Sequence, residues 1–97
     1  MGDVANTGVP KAGAFAESAA IALAETIIAR LRGEAHQGLN PGRGHCYIEF
    51  GEGRVASVEV DFFTGPKPVG TFHGASVENQ ADKAHFGSSR RARWFGR

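Results

Sequence analysis

Gly44-His45-Cys46-Tyr47-Ile48-Glu49-Phe50-Gly51-Glu52-Gly53-Arg54-Val55-Ala56-Ser57-Val58-Glu59-Val60-Asp61-Phe62 contains two alternating runs joined by a glycine-flanked acid. In the first, Cys46, Ile48 and Phe50 alternate with Tyr47 and Glu49; in the second, Val58, Val60 and Phe62 alternate with Ser57, Glu59 and Asp61. A period of two is the signature of half-buried strands, because successive side chains point to opposite faces. Gly51-Glu52-Gly53 between the runs reads as a tight hairpin connection. By letter, Gly51 to Ala56 also fits the GxGxxG/A dinucleotide fingerprint. That fingerprint needs a helix after its turn, whereas Val55 to Phe62 read as a strand. The expectation is a β-hairpin over about 44–62 in a chain of the α+β class.

Upstream of the hairpin, Phe15, Ala19, Ala22, Leu23, Thr26, Ile27 and Arg30 recur at three- and four-residue spacing. This predicts a helix from about Ala12 to Leu31, with Gly33 as its stop signal. Pro10 precedes the start, and Arg30 and Arg32 complement the negative end of the helix dipole. The many alanines allow another backbone or a flat ligand to approach closely, so packing on more than one side is expected. Residues 34–43, with Gly38, Asn40-Pro41 and Gly42, read as a surface loop.

Downstream, Thr64-Gly65-Pro66-Lys67-Pro68 ends the second strand and opens a connector. Ser76 fits the N-cap of a short helix running to about Phe86, with Asn79 at the third helical position. The basic tail from Ser88 carries Arg90, Arg91, Arg93, Trp94, Phe95 and Arg97.

Ninety-seven residues make one small domain at most. With 11 basic and 10 acidic side chains the net charge is +1, which gives no chain-wide attraction to nucleic acid or membrane. The one cysteine excludes an internal disulfide and a CxxC pair. His36, His45, His73 and His85 have neither helical i, i+4 spacing nor thiol partners, so no metal site is expected. His45 adjoins Cys46, but neighbours on a strand face opposite sides and make a poor catalytic pair. No apolar run is long enough to span a bilayer and no signal peptide is evident, so the expected location is cytoplasmic.

The first residues, Gly2-Asp3-Val4-Ala5-Asn6, are followed by Val9-Pro10-Lys11 and a small-residue helix with Phe15, Ala16 and Glu17. This series resembles the last flavin-binding motif of flavoproteins with two dinucleotide-binding domains. There, a strand end contacts the FAD ribityl chain and the next helix points its N-terminus at the isoalloxazine ring. The resemblance implies that Asp3 holds the ribityl chain. It also implies that Lys11 and the backbone of Ala12, Gly13 and Ala14 face the flavin pyrimidine edge. The backbone N–H groups and positive dipole end of a helix suit the negative charge of a reduced flavin, and Lys11 adds to that field.

Gly44 to Gly51 is similar to the segment opened by a redox-active cysteine in the sulfide:quinone oxidoreductase and flavocytochrome c sulfide dehydrogenase branch. That likeness implies a catalytic Cys46 acting on sulfide-derived sulfur beside the flavin. By its own chemistry the same residue reads first as a small buried hydrophobe on a strand, since no partner cysteine exists in this chain. Lys83 to Gly96, with Phe86-Gly87 and Arg93-Trp94-Phe95-Gly96, looks like the C-terminal end of FAD-dependent oxidoreductases of this group.

The resemblance implies a C-terminal segment of an FAD-dependent pyridine nucleotide-disulfide-type oxidoreductase. Residues 1–33 would end the FAD-binding domain, and 34–97 would form the C-terminal hairpin and helical tail. Its implied cofactor is FAD. Its implied partners are the N-terminal FAD and NAD domains and a quinone or other electron acceptor, with room for peripheral membrane contact. The chain has no GxGxxG strand-turn-helix unit and no partner cysteine, so it is not expected to be catalytic alone. The alternative is a small stand-alone interaction module that binds nucleic acid or a protein through the Arg/Trp tail. Nucleic acid is not favoured, because the charge is balanced and the basic cluster is short; a tail docked by its aromatics is preferred.

Overall fold

The structure is a computed structural model that describes residues 2–97. It is of the α+β class, as expected. A 3-10 turn at Gly2–Val4 leads to helix α1 (Gly13–Leu31), strands β1 (Arg43–Gly51), β2 (Arg54–Asp61) and β3 (Val69–Ser76), and helix α2 (Val77–Phe95). The strands form one antiparallel sheet in the order β1-β2-β3. The chain divides into two compact units, Met1–Gly44 with Val60–Val69 and His45–Glu59 with Gly70–Arg97. Among the described residues, no helix is long and apolar enough to cross a membrane.

In the first unit, α1 forms over the expected residues, but Leu23, Ile27 and Arg30 of the expected periodic series are exposed and Ala29, outside that series, is buried. Phe15, Ala22 and Ala29 are buried, one residue every two turns, which places them on one stripe. Its end is a Schellman motif: the Glu34 N–H donates to Ala29 O at 2.9 Å and the Gly33 N–H to Arg30 O at 3.1 Å. The chain then returns along the helix. The Gly38 N–H donates to Thr26 Oγ1 at 2.9 Å, and the Thr26 hydroxyl donates to Ala22 O at 2.9 Å. A Cβ on Gly38 would lie 2.1 Å from Ala22 O, so only glycine lets this backbone reach the alanine. Close approach of a second backbone to the alanine helix was expected, and here it occurs. Packing on more than one side is not seen, since Ile21, Leu23, Ile27, Ile28 and Leu31 are exposed.

The same unit is closed by aromatic and ionic contacts. The Phe15 and Phe62 rings meet edge to face at 5.7 Å, and a Cβ on Gly44 would strike the Phe15 ring. The Phe62 N–H donates to Gly42 O at 3.0 Å, and Arg43 Nε donates to Asp61 Oδ2 at 2.7 Å.

In the second unit the hairpin turn forms where expected. Gly51, Glu52 and Gly53 all take positive φ (81°, 50° and 72°), the conformation that flanking glycines permit. Two features depart from the sequence reading. The connector contains a third strand, β3, whose signal is diluted by Gly70 and Gly74. The C-terminal helix is also long rather than short, and takes in the basic tail up to Phe95. Gly87-Ser88-Ser89 does not break it; the Ser88 and Ser89 hydroxyls find acceptors within the helix, at His85 O and Phe86 O. The true stop is Gly96, left-handed at φ 71°. Ser76 caps α2 as predicted, its Oγ accepting from the Asn79 N–H at 3.1 Å.

Helix α2 covers the His45, Tyr47 and Glu49 side of β1. The Phe86 ring meets those of His45 and Tyr47 at 5.1 and 5.8 Å, and Lys83 pairs with Glu49. The Cys46, Ile48 and Phe50 side stays exposed. Trp94 and Phe95 are also exposed, at 60% and 69%, so they do not dock the tail. Phe86 and Arg90 make the aromatic contact instead, with the guanidinium 3.5 Å above the ring centre.

Candidate functional site

The residues expected to meet a flavin fall at the start of α1. Gly2 to Val4 form a 3-10 turn rather than a strand end, closed by the Ala5 N–H donating to Gly2 O at 3.2 Å. This turn packs on α1. Asp3 and Lys11, eight positions apart in the chain, line one small cleft together with Thr7, Val9, Pro10 and Phe15. Lys11 Nζ donates to Ala5 O, which ties the loop to the helix start. Among the described residues nothing bonds the Asp3 carboxylate, which is exposed.

Helix α1 begins without a side-chain cap. Ala12 occupies the N-cap position in extended conformation and has no side chain able to accept a hydrogen bond. The first-turn N–H groups, from Gly13 on, keep their donors for another acceptor. An anion or an electron-rich ring edge suits such donors. Such donors suit the pyrimidine edge of a flavin, and Asp3 has the acceptors that hydroxyls need; Ala12, Gly13 and Ala14, however, do not line the cleft that Asp3 and Lys11 share. The enclosed space is only about 10 Å3, room for about one water molecule.

Cys46 belongs to the second unit. It is exposed, so it is not the buried hydrophobe that free cysteines commonly are. His45 beside it points to the opposite strand face, where its ring meets those of Tyr47 and Phe86. The expected lack of a His45–Cys46 pair follows from that alternation.

The second unit also holds a larger cavity that the sequence did not reveal. It measures about 320 Å3. Its sheet side consists of His45 and Tyr47 on β1, Ser57 and Glu59 on β2 and His73 on β3, and α2 contributes Asn79 and Asp82. His73 Nε2 and Glu59 Oε2 lie 3.0 Å apart. Burial pushes the Tyr47 phenol above its ordinary range; Asp82 adds to that rise, Arg90 opposes it and Glu59 supports it. Odd numbering on β1 to β3 is the available clue, since alternation places such residues on one face. Which strands pair, and the strand β3 itself, had to be known first. Among the described residues, no group of three or more His, Cys, Asp or Glu side chains is arranged to hold a metal ion.

No protein-family model, curated protein or solved structure matches this chain.

Proposed function

We propose that this chain is the C-terminal part of an FAD-dependent oxidoreductase of the pyridine nucleotide-disulfide type, in the sulfide dehydrogenase branch. The reading rests on one observation: Asp3 and Lys11 line a single cleft against α1, the helix whose N-terminus carries no side-chain cap. These are the groups, in the same order, that the Gly-Asp, Val-Pro-Lys and alanine-helix resemblance assigns to FAD. Asp3 would accept hydrogen bonds from ribityl hydroxyls. Lys11 and the backbone N–H groups of Gly13 and Ala14 would favour negative charge at the pyrimidine edge. FAD, when bound, supplies two-electron transfer between a donor and an acceptor. Cys46, exposed at the opening of the hairpin, is the residue proposed to react with sulfur.

The size of the cleft supports a part-site rather than a whole one, because about 10 Å3 encloses no flavin. So does the apolar flank of α1. Ile21, Ile27, Ile28 and Leu31 are exposed on one helix, and adjoining exposed apolar side chains are the kind of surface that a further domain covers. Preceding FAD and NAD domains are the partner proposed to cover it.

The test takes two proteins, the isolated chain and the full reading frame that carries it. The isolated chain is expected to retain no stoichiometric flavin. The full-length protein is expected to purify yellow, and Asp3→Ala is expected to lower its flavin content severalfold. A colourless full-length protein, or flavin content unmoved by Asp3→Ala, overturns the reading.

A further inference from the structure

The cavity of the second unit contains none of the residues assigned to the flavin. Its volume of about 320 Å3 stands at the small end of ligand-cavity sizes, about 300–1,000 Å3, and suits a small metabolite rather than a dinucleotide. The groups around it narrow the chemistry. Two carboxylates, Glu59 and Asp82, line it, and no lysine or arginine does. The nearest α2 lysine, Lys83, is committed to Glu49. Arg90 is stacked on Phe86.

The charged groups lining the cavity are the two carboxylates, both on exposed residues, accompanied by the His45 and His73 rings, two hydroxyls and one side-chain amide. Among the described residues, nothing bonds the Asp82 carboxylate. Glu59 Oε2 faces His73, which leaves Oε1 available. One of the two Asn79 Nδ2 hydrogens is given to Gly74 O at 2.9 Å, and its Oδ1 remains an acceptor. The Ser57 and Tyr47 hydroxyls add two oxygens, and the Tyr47 ring provides an aromatic wall of the kind that attracts cations. Tyr47 feels both charges of the cavity: after burial, Asp82 is the largest influence raising its phenol, Arg90 opposes it and Glu59 supports it.

We propose that this cavity binds a small organic cation bearing an ammonium group. Asp82 and Glu59 hold the charge, and Ser57, Asn79 and Tyr47 accept its remaining hydrogen bonds. The selection is electrostatic: an ammonium is paired, a carboxylate is repelled and a polyol has no charge to match. The assignment is independent of the flavin reading, because the two sites share no residue and the isolated chain contains this cavity whole.

The experiment is an amide and imidazole NMR titration of the isotope-labelled chain with three probes of similar size: ethanolamine, glycerol and acetate. Ethanolamine is expected to give saturable shifts at Ser57, His73, Asn79 and Asp82, with acetate and glycerol giving none there. Asp82→Asn is expected to weaken ethanolamine binding about two- to fivefold, the size of one partly exposed ion pair, with the rest of the spectrum unmoved. Absence of saturable shifts with ethanolamine overturns the proposal, as does an equal response to acetate or unchanged affinity in a folded Asp82→Asn. If that variant does not fold, Glu59→Gln is read in its place, and the three-probe comparison on the unaltered chain decides by itself.

Discussion

Arg43 Nε stands 2.7 Å from Asp61 Oδ2, and that contact is the centre of a cluster that binds the start of β1 to the end of β2. The same carboxylate accepts from the Thr64 hydroxyl at 2.6 Å and from the Thr64 and Phe63 N–H groups at 3.0 and 3.1 Å. Four donors on one carboxylate turn the chain after β2. The Thr64 bonds first, and then Arg43, hold the Asp61 carboxyl well below the usual carboxylate range.

The sign of the pH effect follows. A carboxylate with a lowered folded-state pKa contributes stability above its unfolded value of about 3.9, and that contribution is lost as pH falls through the folded value. Thermal melts of the chain are expected to show a melting temperature that drops on acidification below about pH 4. In Asp61→Asn the melting temperature at pH 7 is lower and this share of the acid dependence is gone. An acid profile identical in the two proteins contradicts the assignment.

Gly38 and Gly87 predict opposite outcomes for the same substitution. Gly38→Ala places a Cβ 2.1 Å from Ala22 O and is expected to cost about 1–3 kcal/mol through forced displacement. Gly87 lies inside α2, and a Cβ added there would meet nothing within 4 Å, so Gly87→Ala is expected to gain about 0.5–1 kcal/mol. Urea denaturation reads both as shifts in midpoint at constant slope.

Ser76→Ala removes the acceptor for the Asn79 N–H. A cost of about 1 kcal/mol is expected, with fraying concentrated in the first turn of α2. Hydrogen exchange at Asn79 and its neighbours is the measurement, and protection unchanged there rules out a working cap.

Tyr47 is the chain's one tyrosine, so its ionisation is readable directly by ultraviolet titration. Its midpoint is expected above the ordinary value of about 10, chiefly through burial and then through Asp82. Asp82→Asn should move the midpoint down. Because the folded value is raised, this group's contribution to stability declines as pH climbs from the unfolded value through the folded one.

How much of this was legible from the residues depends on the range of the interactions. Helix α1, the hairpin and the Ser76 cap each depend on neighbours within a few positions, and each formed where the pattern placed it. β3 did not declare itself, since Val69, Thr71 and Phe72 are interleaved with Gly70 and Gly74. A strand so weak in local preference is fixed by pairing, here marked by the contact of His73 with Glu59 across fourteen positions. The length of α2 was hidden for a similar reason. Gly87 and two serines look like an ending, whereas the packing of Phe86 on His45 and Tyr47 and the Lys83–Glu49 pair, which fix α2 on the sheet, join residues far apart in the chain.

The sequence by itself thus determined the α+β class, the presence of α1 and the alternation that separates His45 from Cys46, because all three follow from backbone periodicity. Tertiary structure alone decided that Gly38 would rest on Ala22, that Asp3 and Lys11 would share a cleft, and that His45, Glu59, His73 and Asp82 would surround one cavity. Those groupings depend on which distant segments meet. Only the closing of loops and the pairing of strands sets that.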